Sequence, residues 1–172
     1  FVVLLYGSAF LHELGHAFSA RAFGLRVHSI ELTALGGLTR MDSPPTPGRA
    51  AMTSVAGPLV NVALGGLGLL AFGVTEDGTF PHLLAAQLTC TNALVAAFNL
   101  IPGLPLDGGA ILRAAVWKVT GRSSTGTVVA AWGGRIVAIA AALWFLRGLV
   151  DGGDPLDGIF ILLIAIWMWS VA

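Results

Sequence analysis

The sequence predicts an all-α polytopic membrane protein with about five to six transmembrane segments and one small membrane-associated β-hairpin. Three observations predict it. Hydrophobic residues make up 56% of the 172 residues and charged residues only 10%, against about 25% charged in a soluble domain; too few charges exist to coat a water-facing surface. The apolar residues fall in runs close to the roughly 20 residues that a helix needs to cross a bilayer. One short stretch instead alternates with a period of two, the mark of a strand. The formal net charge is zero, which argues against the basic face that a nucleic-acid partner requires, so lipid rather than nucleic acid is the expected neighbour. The single cysteine, Cys90, leaves no intrachain disulfide to form.

The elements follow in order. Residues 1–23 form the first apolar helix, and neither a charged leader nor a small-residue cleavage site marks it as a signal peptide. In "SIELTAL", Ile30, Leu32 and Ala34 alternate with Ser29, Glu31 and Thr33. Gly36-Gly37 then predicts a turn and "LTRM" a return strand, giving a hairpin over 27–41. At membrane depth such a hairpin is allowed only where protein covers it; the competing reading is a cytoplasmic loop. Helices are expected at 50–74, 83–101, 108–120, 128–150 and 158–172. The 108–120 helix is short for a span, and Pro102 and Pro105 break the chain before it. Residues 1–172 thus read as a single transmembrane core. Both ends lie inside apolar runs, so an N-terminal helix and any C-terminal regulatory domain are expected to belong to a longer protein. Arg21, Arg26, Arg40 and Arg49 fall after the first helix, and Arg113, Lys118 and Arg122 after the third. The positive-inside rule makes those connections cytoplasmic. The expected location is a prokaryotic cell membrane.

The stretch "FLHELGHAF" puts two histidines and a glutamate into an apolar helix. Four residues make about 400° of helical rotation, so His12 and His16 project from one face. That spacing lets two imidazoles grip one zinc ion, with Glu13 near enough to act on a water without being a ligand. Each of these groups is costly in a membrane unless it has a role. A third ligand must come from elsewhere. His28 lies in the expected strand and His82 beside the acidic "TEDG". Asp107, in "FNLIPGLPLDGG", either N-caps the following helix or turns into the bundle. His16 lies five residues before Arg21 and Asp107 six before Arg113, or about 8–9 Å from a cytoplasmic charge along a helix. Equal depth suits a shared metal. Ser54, Gly57, Asn61, Gly65 and Gly68 form a small-residue stripe that suits close helix packing, in which Asn61 is either an interhelical hydrogen-bonding group or a site residue.

"HELGH" on one helix, "GPLVN" on the next and "FNLIPGLPLDGG" after them resemble the site-2 protease family of intramembrane zinc metalloproteases, over most of residues 1–113. One departure is the lack of a spanning helix before the HExxH helix. The resemblance implies that His12, His16 and Asp107 bind one Zn2+ and that Glu13 is catalytic. It implies that Asn99 orients substrate, that Asn61 lines the site, and that the hairpin lies beside it. The expected substrate is a single-pass transmembrane protein such as an anti-sigma factor, cleaved nearer the cytoplasmic side. A transmembrane helix must unwind locally before it is cut, and the edge at Glu31, Leu32 and Thr33 is suited to receive it as an added strand. Two rivals were weighed. A metal-ion transporter needs polar residues along a path through the membrane, and residues 128–172 offer nothing comparable to the His12 cluster. A non-catalytic membrane adaptor has no need of Glu13.

Overall fold

The computed structural model describes residues 2–33, 36–152 and 154–171. Among them, six helices and one two-stranded antiparallel sheet run in the order α1 (Val2–Ala22), β1 (Val27–Thr33), β2 (Gly36–Met41), α2 (Pro47–Phe72), α3 (Phe80–Asn99), α4 (Asp107–Thr120), α5 (Ser123–Val150) and α6 (Pro155–Val171). They divide into two units, Phe1–Leu100 and Ile101–Ala172. The protein is therefore mostly helical, with one small sheet.

Caps set where α2 and α3 begin. The hydroxyl of Thr46 accepts from the Arg49 N–H, with Pro47 in the first turn, and Thr79 does the same for His82 with Pro81. Both devices satisfy donors that a helix start leaves orphaned. They lengthen each helix by three residues beyond the apolar run, because hydropathy registers lipid contact and not capping. At the end of α4, Gly121 adopts φ +72, the left-handed stop that glycine takes at little cost.

In the first unit α1 packs on α2, on α3 and on both strands, and α2 packs on α3. Its interior inverts the polarity of a soluble core. The buried residues of α1 are Ser8, His12, Glu13, His16, Ala17 and Ala20, while Val2, Val3, Phe10, Leu11 and Phe18 are exposed. On α2, Thr53, Gly57 and Asn61 are buried, and Leu59, Leu67, Leu69 and Leu70 are exposed. Small and polar residues inside with large apolar ones outside is the packing that lipid permits. Among the described residues two helices, α2 and α5, are long and apolar enough to cross a membrane; at about 1.5 Å per residue they reach about 39 and 42 Å.

Ile30 of β1 pairs with Thr39 of β2, Leu32 with Gly37 and Thr33 with Gly36. The expected turn at Gly36-Gly37 is therefore a misreading, since both glycines already belong to β2. The connection they were meant to make falls on Ala34 and Leu35, which lie outside the described residues. A glycine pair signals a turn only if the flanking register agrees, and here glycine serves a close approach instead. The outward face carries Glu31 and Arg40, whose side chains pair at 2.8 Å. That hydrogen bond, followed by the one from Ser29, holds the Glu31 carboxyl below its ordinary 4.5. Asp42, just past β2, is likewise held below its usual range by the hydrogen bond from His28.

In the second unit Leu106, Ala138, Ala165 and Met168 form the buried apolar cluster. The segment preceding α4 lies against α5, with the Leu104 N–H donating to the Ala130 carbonyl at 3.0 Å. A side chain at Gly103 would strike the backbone of Gly134, and one at Gly133 would strike the Pro102 carbonyl. Arg135, within the apolar length of α5, has its guanidinium over the Trp132 ring at 5.4 Å and over Trp169 at 5.8 Å. Those faces give an otherwise costly cation a favourable surrounding.

Candidate metal centre

His12 and His16 sit one turn apart on the buried face of α1, with Nε2 atoms 3.1 Å from one another. Each Nδ1 is engaged behind the ring. That of His16 meets the Thr53 backbone carbonyl at 2.7 Å, and that of His12 meets Oδ1 of Asn61 at 2.5 Å. A carbonyl oxygen can only accept, so a neutral ring that faces one through Nδ1 carries its hydrogen there and keeps a lone pair on Nε2. Two imidazole lone pairs converging on one point make a donor set that suits zinc, and outer hydrogen bonds of this kind orient metal-binding histidines.

Gly57 of α2 makes room for the pair. A Cβ there would lie 2.6 Å from Nε2 of His12 and closer still to His16. A hydrogen in place of a methyl group is thus what leaves the two ring nitrogens accessible. Packing had been the expected role for this glycine, and the packing is specifically against the imidazoles. Gly68 serves α3 in the same way against Thr89, while a Cβ at Gly65 would meet Asn92 only at ordinary contact distance.

Glu13, only 5% exposed, is held from the sheet side. Thr39 of β2 donates its hydroxyl to Oε2 at 2.5 Å, and that hydroxyl also lies 3.2 Å from the Glu13 carbonyl. On the same strand, a Cβ at Gly37 would run into the carboxylate. The hairpin therefore approaches α1 through a glycine and a threonine on its inner face, and its position is tied to the glutamate.

The remaining expected residues are placed as follows. Asn61 is fully buried, and its amide is used by His12 and Asn92. Asn99 is half-buried in the last turn of α3. Asp107, also half-buried, is the first residue of α4 in the second unit; the N-cap position belongs to Leu106, so the capping role does not fall to the aspartate. Glu31, Leu32 and Thr33 are exposed on β1. His28 faces Asp42 at 2.9 Å, and His82 stacks on Phe72 with Asp77 3.4 Å away. Thr39, Asn92 and the Thr53 carbonyl escaped the sequence reading. Asn92 was findable as a polar residue inside an apolar helix, whereas a backbone carbonyl leaves no signature.

The sequence profile of Peptidase family M50 matches residues 1–87 and 75–143. Zinc metalloprotease MJ0392 of Methanocaldococcus jannaschii is 35% identical over 147 residues, 86% of this chain and 43% of that protein. The protein sll0528 of Synechocystis sp., provisionally named a zinc metalloprotease, is 41% identical over 130 residues, 74% of this chain and 34% of that protein. Among solved structures, a site-2 protease from Methanocaldococcus jannaschii is similar with a TM-score of 0.69 and 29% identity, over 98% of this chain and 74% of that one. The chain spans less than half the length of the curated relatives it matches.

Proposed function

The chain belongs to peptidase family M50, and from that premise we propose that it is the core of an intramembrane zinc metalloprotease that hydrolyses peptide bonds of transmembrane proteins. The observation that carries the reading is the converging Nε2 pair of His12 and His16, each ring held from behind by an acceptor. On this reading Asp107 supplies the third ligand, a carboxylate oxygen beside the two imidazole nitrogens, as the resemblance implies. The resemblance of "LPLDGG" supports that assignment. Zinc there would polarise the scissile carbonyl and lower the pKa of a water.

Glu13 takes the proton from the attacking water and hands it to the leaving amine. Thr39 holds one oxygen of that carboxylate and so fixes the side chain in place. Asn99 steadies the substrate carbonyl or the developing oxyanion. Asn61 acts from behind His12 rather than on substrate, because both atoms of its amide are engaged. The edge at Glu31, Leu32 and Thr33 takes the unwound substrate as a third strand.

The family is membrane-embedded. We extend this to five to six spans, residues 1–172 forming one protease core, and a site nearer the cytoplasmic side of a prokaryotic membrane. The inverted polarity of the first unit and the arginines after α1 support it. The substrate on this reading is a single-pass protein of the anti-sigma type. The test is zinc analysis of the purified protein together with cleavage of a model transmembrane peptide. Glu13→Gln should keep its zinc and lose about 100- to 10,000-fold in cleavage rate. Wild-type turnover in that variant would end the catalytic assignment.

A further inference from the structure

Beyond His12 the hydrogen bonds continue outward through Asn61 and Asn92. Asn61 Nδ2 donates to Asn92 Oδ1 at 2.8 Å, and Asn92 Nδ2 donates to the Leu88 carbonyl at 2.9 Å and meets Ser8 Oγ at 3.0 Å. Both asparagines are 0% exposed. An amide side chain can turn over and exchange its donor and acceptor ends, so what fixes its direction must be a group that cannot reverse. The Leu88 carbonyl is such a group, because it only accepts. It obliges Asn92 to present Nδ2 to it and Oδ1 to Asn61. Asn61 must then present Nδ2 to Asn92 and Oδ1 to His12. His12 can satisfy Oδ1 only with a hydrogen on Nδ1, which leaves Nε2 unprotonated.

We propose that Asn92 is a positioning residue that reads the polarity of the α3 backbone and passes it through Asn61, locking His12 in the tautomer whose Nε2 can bind zinc. His16 needs no relay, since the Thr53 carbonyl acts on it directly. The two histidines are thus set by two backbone carbonyls, one at first hand and one through two amides. A polar chain of this kind is retained in a lipid-facing bundle only if every member is satisfied, and each of its links is.

The inference concerns the imidazole and holds whether or not zinc is bound; only its consequence for affinity rests on the zinc-protease reading. The experiment is nitrogen-15 NMR of histidine-labelled, metal-free protein at alkaline pH, where the rings are neutral, paired with zinc affinity by chelator competition. In the wild type His12 should show hydrogen on Nδ1. Asn92→Leu, nearly isosteric, frees Asn61 to turn over, so His12 should shift toward the Nε2–H form while His16 does not. Zinc affinity should fall about 10- to 100-fold, the usual effect of losing an outer hydrogen bond. Asn92→Asp still offers Asn61 an acceptor in either protonation state and should keep both the tautomer and most of the affinity, which a merely space-filling role would not predict. Hydrogen on Nε2 of His12 in the wild type overturns the proposal without any variant being needed, as does an unchanged tautomer in Asn92→Leu. A wild type that holds no zinc yet keeps the Nδ1–H form and responds to Asn92→Leu supports the relay and sinks the metalloprotease reading.

Discussion

At the scale of single residues the first unit sets chemistry by size as much as by charge. Gly57 contributes no functional group, yet a methyl group in its place would occupy the point on which two ring nitrogens converge. Helix propensity alone favours alanine over glycine by about 1 kcal/mol, so Gly57→Ala would be expected to stabilise an unconstrained helix. The close approach decides otherwise. Gly57→Ala should lose at least about 10-fold in zinc affinity while its helix content stays the same, and titration with a competing chelator checks it. Full zinc occupancy with normal affinity would mean that the rings have room to move aside. Glu13 illustrates the same economy, with Thr39 supplying direction and Gly37 supplying space.

At the scale of elements, the hairpin and the segment before α4 are where the chain leaves its helices. If β1 receives unwound substrate, main-chain groups supply the affinity. Proline deletes a donor and fixes φ, so proline placed singly at Glu31, Leu32 and Thr33 should harm cleavage at alternate positions, following the strand period. Alanine at the same positions should do little. Zinc content should be unchanged throughout. A uniformly normal cleavage rate across the three prolines would reduce the hairpin to a cytoplasmic loop. In the second unit, the segment that leads to Asp107 lies against Gly133 and Gly134 of α5. Gly133→Ala forces a methyl group onto the Pro102 carbonyl, an overpacking that should cost about 1–3 kcal/mol. Thermal melting in detergent reads that loss; an unaltered melting temperature would show that the segment yields freely.

For the whole molecule, a membrane setting means that little hydrophobic driving force holds the helices together, since lipid is as apolar as leucine. Buried hydrogen bonds, close glycine contacts and a bound ion must supply more of the stability than they do in a soluble protein. An ion that binds only the folded state stabilises it by about 2.7 kcal/mol at 100 times its dissociation constant. A strong chelator should therefore lower the melting temperature of the wild type by several degrees. Asp107→Ala should melt near the chelated wild type and respond little to chelator, whereas His28→Ala should behave as the wild type does. If His28→Ala loses the response and Asp107→Ala keeps it, the third ligand is His28.

What could be read from residue order was whatever depends on spacing within one helix or on the solvent around it. Three ionisable groups at i, i+1 and i+4 in an apolar run carry their own geometry, because helical rotation is constant. The scarcity of charge names lipid as the solvent through a difference in transfer energy that no folding can reverse. The roles of Asn61, Gly57 and Thr39 could not be read that way. Asn61 is an equally good packing or substrate residue until α1 and α3 are placed on either side of it. Gly36-Gly37 signals a turn until the strand register puts both in β2, with Gly37 against Glu13. The Thr53 and Leu88 carbonyls belong to every sequence alike, and only packing turns them toward a histidine or an asparagine. Contacts between elements are decided by which faces meet, and a face acquires its partner only when the helices are assembled.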